Sequence, residues 1–548
     1  MDNQKIILFF ALSFVLLLIW QAWQEDYGAS LTAAPVATQG GAPQPTDIPA
    51  TPAAPAESAA AAAPPPVPRG LQRGTRIRVV TDLLDVQLDT VGGDLREVAL
   101  LAYPVSSDRK DEPFRLMRDE GGRVFVAQSG LISQQPAPDH YAVYTAEAAE
   151  YRLQGDELRV PLRWTGADGI SVTKTYIFHR DSYQVEVEHR VDNGSTAPWT
   201  GYQYRQFQRS LPGEDEKSFF LYTYTGGVIY SPEEKYEKIS FEDMDKRDLN
   251  RSITGGWAAV IQHYFLGAWL PDAAETNQFY SKAPKGQPYV LGLLSQPRTA
   301  APGEAAVFSS RLFVGPKDQE RMEQAAEGLR LTVDYGVLTI LAQPLFWLMK
   351  YIHGVVGNWG WSIVLLTLLV KLVFYKLSET SYRSMANMRV LQPKLMQLRE
   401  RYGDDRQRMS QAMMELYKKE KINPLGGCLP MLVQIPVFIA LYWVLLESVE
   451  LRQAPFMLWI HDLSTKDPYY ILPLLMGATM FIQQKLNPPP PDPIQAKVLM
   501  ALPFVFTLFF AFFPAGLVLY WVANSVLSIL QQWYITRRIE KAGKAAKA

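Results

Sequence analysis

The sequence predicts a polytopic α-helical membrane protein with six spans, five of them forming a core, and a large antiparallel β-sandwich outside the bilayer. Three observations predict it. Long apolar runs dominate the last two hundred or so residues. Residues 73 to about 314 instead alternate in short runs between turn residues, the period of strands. Two of the apolar runs carry polar residues at three- and four-residue spacing, so one face of each is unsuited to lipid.

The chain in order supports each part. Ile6–Trp23 is long and apolar, closed by Trp20 and Trp23 as an interfacial belt would close it, and no small-residue cleavage pattern follows at once. Residues 1–24 therefore read as an uncleaved signal anchor rather than a removed signal peptide. Residues 25–72, rich in Ala, Pro, Thr and Gln, read as a disordered tether, because such a composition buries too little apolar surface to offset chain entropy.

Residues 73–334 read as the sandwich. Strand patterns recur at Ile77–Val80, Val86–Leu88, Leu95–Leu101, Leu158–Trp164, Ser171–Phe178 and Tyr183–Val191. Val91-Gly92-Gly93-Asp94 and Asp192-Asn193-Gly194 are hairpin-type signals. His140, His179, His189 and His263 show no metal-ligand spacing, and Tyr202, Tyr204, Phe219, Phe220, Tyr222 and Tyr224 read as core and cross-strand pairs rather than a sugar platform. Lys317–Leu329 reads as a helix leading out. Residues 335–355, with Pro344 inside and Trp347, Lys350, Tyr351 and His353 clustered, read as an amphipathic helix in the outer interface, with a docking helix of the β-domain as the other reading.

Residues 356–536 read as the five-helix core. The first of its spans, Trp359–Ser378, carries Thr367, Lys371, Tyr375 and Ser378 on one face. On that helix alone Lys371 has two readings. It lies about 7.5 Å from Lys376 along the axis and can snorkel to the headgroups, or it lines a wet recess. Residues 379–423 read as a basic αα-hairpin, broken at Gly403-Asp404-Asp405 with an aspartate able to cap the second helix. Its methionines suit an adaptable binding surface, and its charges equally suit a topology signal. Four further spans are Gly427–Leu446 with Gln434, Tyr469–Ile482, Val498–Phe513 and Gly516–Ile535, the last striped with Tyr520, Asn524, Ser528 and Gln531. Residues 537–548 form a basic tail. Excess Lys and Arg in the hairpin and tail put both inside, with the first residues of the chain inside and the β-domain outside.

Composition narrows the function. Net charge is −1, which does not suggest nucleic acid as the main partner, and a single cysteine, Cys428, allows no intrachain disulfide and no cysteine metal cluster. No His, Asp or Glu falls in the polar stripes, and there is no P-loop pattern. Catalytic, cofactor and metal residues are therefore expected to be none, with no direct nucleotide partner. No internal repeat of the transporter type is visible. A lone cation among hydroxyls and amides suits a machine that receives a polypeptide segment.

Several runs together carry a resemblance: Pro232–Lys238, Leu331–Gly336, Gly357-Asn-Trp-Gly-Trp361, Asn423-Pro-Leu-Gly-Gly-Cys428, Gln434-Ile-Pro436, Ser448–Phe456, Leu458–Leu463, Asp467–Pro473 and Phe513–Tyr520. With these the chain resembles the YidC/Oxa/Alb family, of the Gram-negative type. The resemblance implies a membrane protein insertase and chaperone of the bacterial inner membrane, with a periplasmic sandwich and both termini cytoplasmic. It works alone or beside the Sec translocon, on nascent membrane proteins, with the lipid bilayer as a further partner. An assembly chaperone or translocon subunit without insertion activity is the alternative. The polar stripes with Gln434 between them describe a hydrophilic recess of Lys371, Thr367, Gln434, Tyr520 and Asn524; the resemblance further implies that Lys371 sits in the groove and that Thr367 and an apolar slide of Phe438, Met476, Phe509 and Trp521 contact substrate. It makes the hairpin and tail the sites for the ribosome and a targeting receptor. Two departures stand out. Lys371 occupies a position that is usually arginine, losing the planar fork, and Tyr375-Lys376 replaces a Tyr-Pro pair.

Overall fold

The computed structural model describes residues 47–49, 71–213, 223–402, 405–420, 429–487 and 493–545. The expected Ile6–Trp23 span, the Asn423–Cys428 run, Phe219, Phe220, Tyr222, the prolines of the 488–492 loop and most of the 25–72 tether lie outside these residues.

Two sheets face each other. From edge to edge the larger runs Asn250–Thr254, Thr276–Lys282, Tyr289–Leu294, Trp199–Arg209, Phe125–Ser133, Leu95–Ser106, Leu84–Asp89, Arg76–Val80 and Glu150–Arg152. The smaller runs Lys235–Ile239, Gly226–Ser231, Trp257–Gln262, Phe265–Leu270, Ala305–Pro316, Gln184–Asn193, Ile170–His179, Glu157–Thr165 and Thr145–Ala146. Neighbours pair antiparallel, apart from Arg76–Val80 with Glu150–Arg152. Alternating side chains from both sheets fill one core; Phe207 of the larger sheet meets Trp269 of the smaller at 6.1 Å between rings.

The hairpin signal at 91–94 joins Leu84–Asp89 to Leu95–Ser106, and Gly92 and Gly93 take φ of 78° and 55°, which side chains resist. The signal at 192–194 is different. Gln184–Asn193 and the next strand, Trp199–Arg209, belong to different sheets, so this turn crosses the sandwich instead of closing a hairpin. The Asn193 side chain makes the crossing, donating to the carbonyls of Ala197 and Ala300 and accepting from the Ser195 amide. The tether reading also fails at one point: Asp47–Pro49 lies against the larger sheet, where side chains of the sheet and of an adjoining loop hold it.

Helices α1 (Phe241–Lys246) and α2 (Gln319–Ala325) belong to the β-domain. Among the described residues eight follow: α3 (Thr339–Val356), α4 (Trp359–Val373), α5 (Tyr375–Tyr402), α6 (Arg406–Lys419), α7 (Leu429–Glu447), α8 (Ile471–Leu486), α9 (Pro493–Phe510) and α10 (Ala515–Ala545). Helix α10 touches α4, α5, α7 and α8 and is the strut of the core. Helix α3 packs on α4 and α7 through Ala342, Phe346, Met349 and Ile352, so it is part of the helical core as well as tied to the β-domain by Lys350 and Glu320. Asp405 caps α6 by accepting from Gln407 and Arg408 amides, and Lys394 pairs with Glu420 at 2.6 Å across the hairpin.

Among the described residues no single helix is long and apolar enough to cross a membrane alone. The bent pair Trp359–Val373 and Tyr375–Ala386 qualifies together, and Val433–Glu447 and Ala496–Phe510 are shorter apolar helices. Large apolar side chains point outward all the same: Val373, Leu508, Phe504 and Leu474 are 79%, 70%, 67% and 62% exposed. Apolar side chains of this size, exposed on several helices of one core, suit a covering of lipid.

The β-domain grips the core through buried polar groups. Lys317 and Glu447, 3% and 7% exposed, lie 3.6 Å apart. His263 bonds to the Leu446 carbonyl at 2.9 Å, and Arg452 donates to Pro104 and Val105 carbonyls while lying over Phe114 and Phe265. Beside them burial pushes the Glu450 carboxyl up to about 7, and Asp318 adds to the rise. A raised acid holds its proton longer in the folded chain than in the unfolded one. Its contribution is thus complete below about pH 4 and lost as pH rises through 7. Glu450→Gln is expected to stabilise the protein at pH 8 by on the order of 2 kcal/mol and to change nothing at pH 4. Denaturant melts across that range check it.

Candidate functional site

Helix α4 starts at the β-domain side. Its cap, Asn358, accepts from the Trp361 amide and donates to the Pro455 and Phe456 carbonyls. Gly360 leaves room for Phe456, whose ring lies where a Cβ would stand. The loop 448–470 also holds the start of α10, because Ala515 and Gly516 donate to Thr465 and Leu463. Asp467 accepts from Trp459, Tyr469 and Leu472 and stiffens the same loop. This end of the core is stitched shut by hydrogen bonds.

Lys371 lies about 18 Å further along α4, taking 1.5 Å per residue from Trp359. There the helix ends. Phe374 donates to Val370 and Leu372, and the chain turns by 69° into α5. The straight Trp359–Ser378 span expected from the sequence is thus broken, and the hairpin's first helix begins at Tyr375. The bend lets α5 lean on α10.

The bend buries Lys371 to 8% exposure among three helices. Its Nζ donates to Ser528 Oγ at 2.8 Å and to Gln434 Oε1 at 3.5 Å. Gln434 Nε2 donates to Asn524 Oδ1 at 3.2 Å, and Ser528 Oγ donates to the Asn524 carbonyl at 2.7 Å. Every partner is neutral. Among the described residues no carboxylate lies within ion-pair distance of Lys371. One turn along α10, the side-chain O and N of Gln531 are buried without a partner. Buried polar atoms left this way mark a place for water or a guest.

The structure therefore brings Lys371, Gln434 and Asn524 together and adds Ser528, the nearest partner of the ammonium. The stripe on α10 signals Ser528 in the sequence, but only the packing shows that it faces Lys371. Thr367 and Tyr520 stand apart from the cluster. Thr367, 2% exposed, donates to the Ile363 carbonyl of its own helix, as a threonine in an apolar setting does. Tyr520, also 2% exposed, stacks on Phe438 at 5.7 Å.

The apolar set divides too. Phe438 meets Trp521 at 4.6 Å, and Trp521 meets Phe510 at 5.6 Å. Phe509 is 46% exposed and packs on Phe513. Met476 is wholly buried inside the helix packing and offers no open surface. Phe510 and Phe513 complete the aromatic row; their spacing of three residues is its sequence signal.

Two family models cover the chain: the YidC periplasmic domain matches residues 76–348, and the 60Kd inner membrane protein model matches 351–542. A protein of Thioalkalivibrio sulfidiphilus named membrane protein insertase YidC is 57% identical over 99% of this chain and 100% of its own. Proteins of the same name from Methylococcus capsulatus and Alkalilimnicola ehrlichii are 54% and 55% identical, over 99% and 100% of this chain and 99% and 98% of theirs. The chain belongs to the YidC family. In YidC terms the β-sandwich is the periplasmic domain and the helical core is the inner-membrane part. The division at 348–351 falls inside α3, the helix that packs on the core and pairs with the β-domain.

Proposed function

We propose that the Lys371 cluster receives the polar flank of a hydrophobic segment on its way into the bilayer, and that this is how the chain acts as a membrane protein insertase. The observation that carries it is a buried cation with only neutral partners. A charge in that setting is costly unless a partner arrives, and a carboxylate or polar backbone of a nascent chain is such a partner. Gln434 and Ser528 hold the ammonium in place, Asn524 holds both of them, and the cluster offers hydrogen bonds to the flank. The apolar part passes along Phe438, Trp521 and Phe509 toward lipid. Thr367 and Tyr520 support the groove by packing, and Met476 becomes a contact only when the helices part.

The reading has six spans, with both termini and the α5–α6 hairpin in the cytoplasm. The stitched end at 448–470 then faces the periplasm, and the recess opens inward. The basic hairpin and tail suit the ribosome and a targeting receptor, and the exposed apolar flank of the core suits lipid or the Sec translocon.

Photocrosslinkers at Phe438, Phe509 and Trp521 test the path. Ribosome-stalled nascent membrane proteins are expected to crosslink at all three. Crosslinks only to fixed partner subunits would instead make this an assembly chaperone whose groove packs a neighbour.

A further inference from the structure

In the strand Trp199–Arg209, Tyr204, Gln206 and Gln208 point away from the second sheet, since Phe207 points toward it and successive side chains alternate. An outward face of this kind is normally wet. Here Tyr204 and Gln206 are wholly buried and Gln208 is 5% exposed. The register places Gln128, Gln206, Gly292 and Tyr280 in one row across the sheet, with Gln208 and Lys282 in the next. The row is hydrogen-bonded from end to end: Tyr280 donates to Gln206 at 2.7 Å, Gln206 to Gln128 at 3.0 Å, and Gln128 to Asp94 at 2.8 Å. The smooth polar floor continues to His140, 2% exposed, whose backbone amide and Nδ1 both bond the Tyr204 hydroxyl.

What lies on this floor is a piece of the chain from far away in sequence. The Asp47 carboxylate accepts from His140 Nε2 at 3.1 Å, from the Tyr141 hydroxyl at 2.5 Å and from Gln208 Nε2 at 3.2 Å. Lys282 Nζ donates to the Ile48 carbonyl at 2.5 Å, and Pro49 is buried. Burial alone would raise the Asp47 carboxyl. The hydrogen bonds and charge of His140 and the Tyr141 hydroxyl outweigh it and hold the group below the usual carboxylate range.

We propose that the outer face of the large periplasmic sheet is a binding site for an aspartate-bearing peptide segment, and that Asp47-Ile48-Pro49 is its ligand in cis. The chemistry is specific. Three donors from His140, Tyr141 and Gln208 converge on one carboxylate, and a fourth, from Lys282, takes the next backbone carbonyl. Docking holds the chain at Asp47 as well as at Arg73, whose guanidinium donates to the Asp119 carbonyl, and so adds a fixed point nearer the N-terminal apolar stretch. The site thus acts as a latch that sets how closely the β-domain follows that stretch.

Hydrogen exchange on the full chain in lipid nanodiscs tests this, read at the Asp47 and Ile48 amides. In the parent protein these are expected to exchange at least tenfold more slowly than a random-coil peptide of the same sequence. Asp47→Ala is expected to abolish that protection, and so are Tyr141→Phe and Gln208→Ala, which change only the receiving loop and sheet, 94 and 161 residues away. Core amides of Phe125–Ser133 report whether each variant still folds. Random-coil exchange in the parent would overturn the latch. So would protection that survives Tyr141→Phe combined with Gln208→Ala while the core amides stay protected. Asp47→Asn separates charge from shape: full protection in that variant would overturn recognition of a carboxylate.

Discussion

Lys371→Met is expected to lower insertion of a substrate with an acidic or polar flank by about tenfold to a hundredfold, the range set by losing one charge-assisted hydrogen bond of roughly 1.5–3 kcal/mol. The same change is expected to leave folding intact or to stabilise it. Lys371 is buried with neutral partners only, so methionine removes an uncompensated charge and fills similar volume. Lys371→Arg is expected to retain insertion, because the charge remains. A snorkelling lysine gives a different pattern: insertion would be unchanged with methionine. Insertion assays in proteoliposomes beside thermal melts separate the two outcomes. Substrates without a polar flank serve as the control and are expected to insert equally well in both proteins.

Lys317→Ala is expected to cost about 3–5 kcal/mol, the largest stability effect of any single change here, because it strands Glu447 as a buried charge. The two groups lie 3.6 Å apart at the junction of sandwich and core. Burial lowers the Lys317 pKa and Glu447 opposes it, so the ammonium depends on its partner. The double change Lys317→Met with Glu447→Gln is expected to recover most of the loss, since no unpaired charge then remains. Denaturant unfolding of all three variants checks the cycle. Equal loss in the single and double variants would mean that packing, not charge pairing, holds the junction. Limited proteolysis between Pro316 and Thr339 gives a second reading, as a loosened junction exposes that connection.

The elements that could be read directly were those with a strong period. Leu158–Trp164 and Ser171–Phe178 extend in the structure to Glu157–Thr165 and Ile170–His179, and Tyr183–Val191 shifts to Gln184–Asn193, because alternation is a local signal that leaves the ends loose. Cross-sheet geometry is not local. Asp192-Asn193-Gly194 has hairpin chemistry, yet the next strand joins the other sheet, and nothing within a few residues tells the two apart. The bend at Phe374 was hidden for a related reason: the apolar run continues across it, and the contacts of α5 with α10 lie about 150 residues away.

The sequence by itself determined the division into sandwich and helical core, the family, and the presence of a lysine with polar company on an apolar helix. Each rests on composition, periodicity or a contiguous run of residues. The tertiary structure alone decided that Lys371 faces Ser528 and Gln434, that Thr367 and Tyr520 do not join them, that Met476 is sealed, and that Asp47 reaches His140. These depend on how helices rotate about their axes and which distant segment fills a polar face. Such choices are settled by packing and by the need of every buried polar group for a partner, both properties of the whole folded chain.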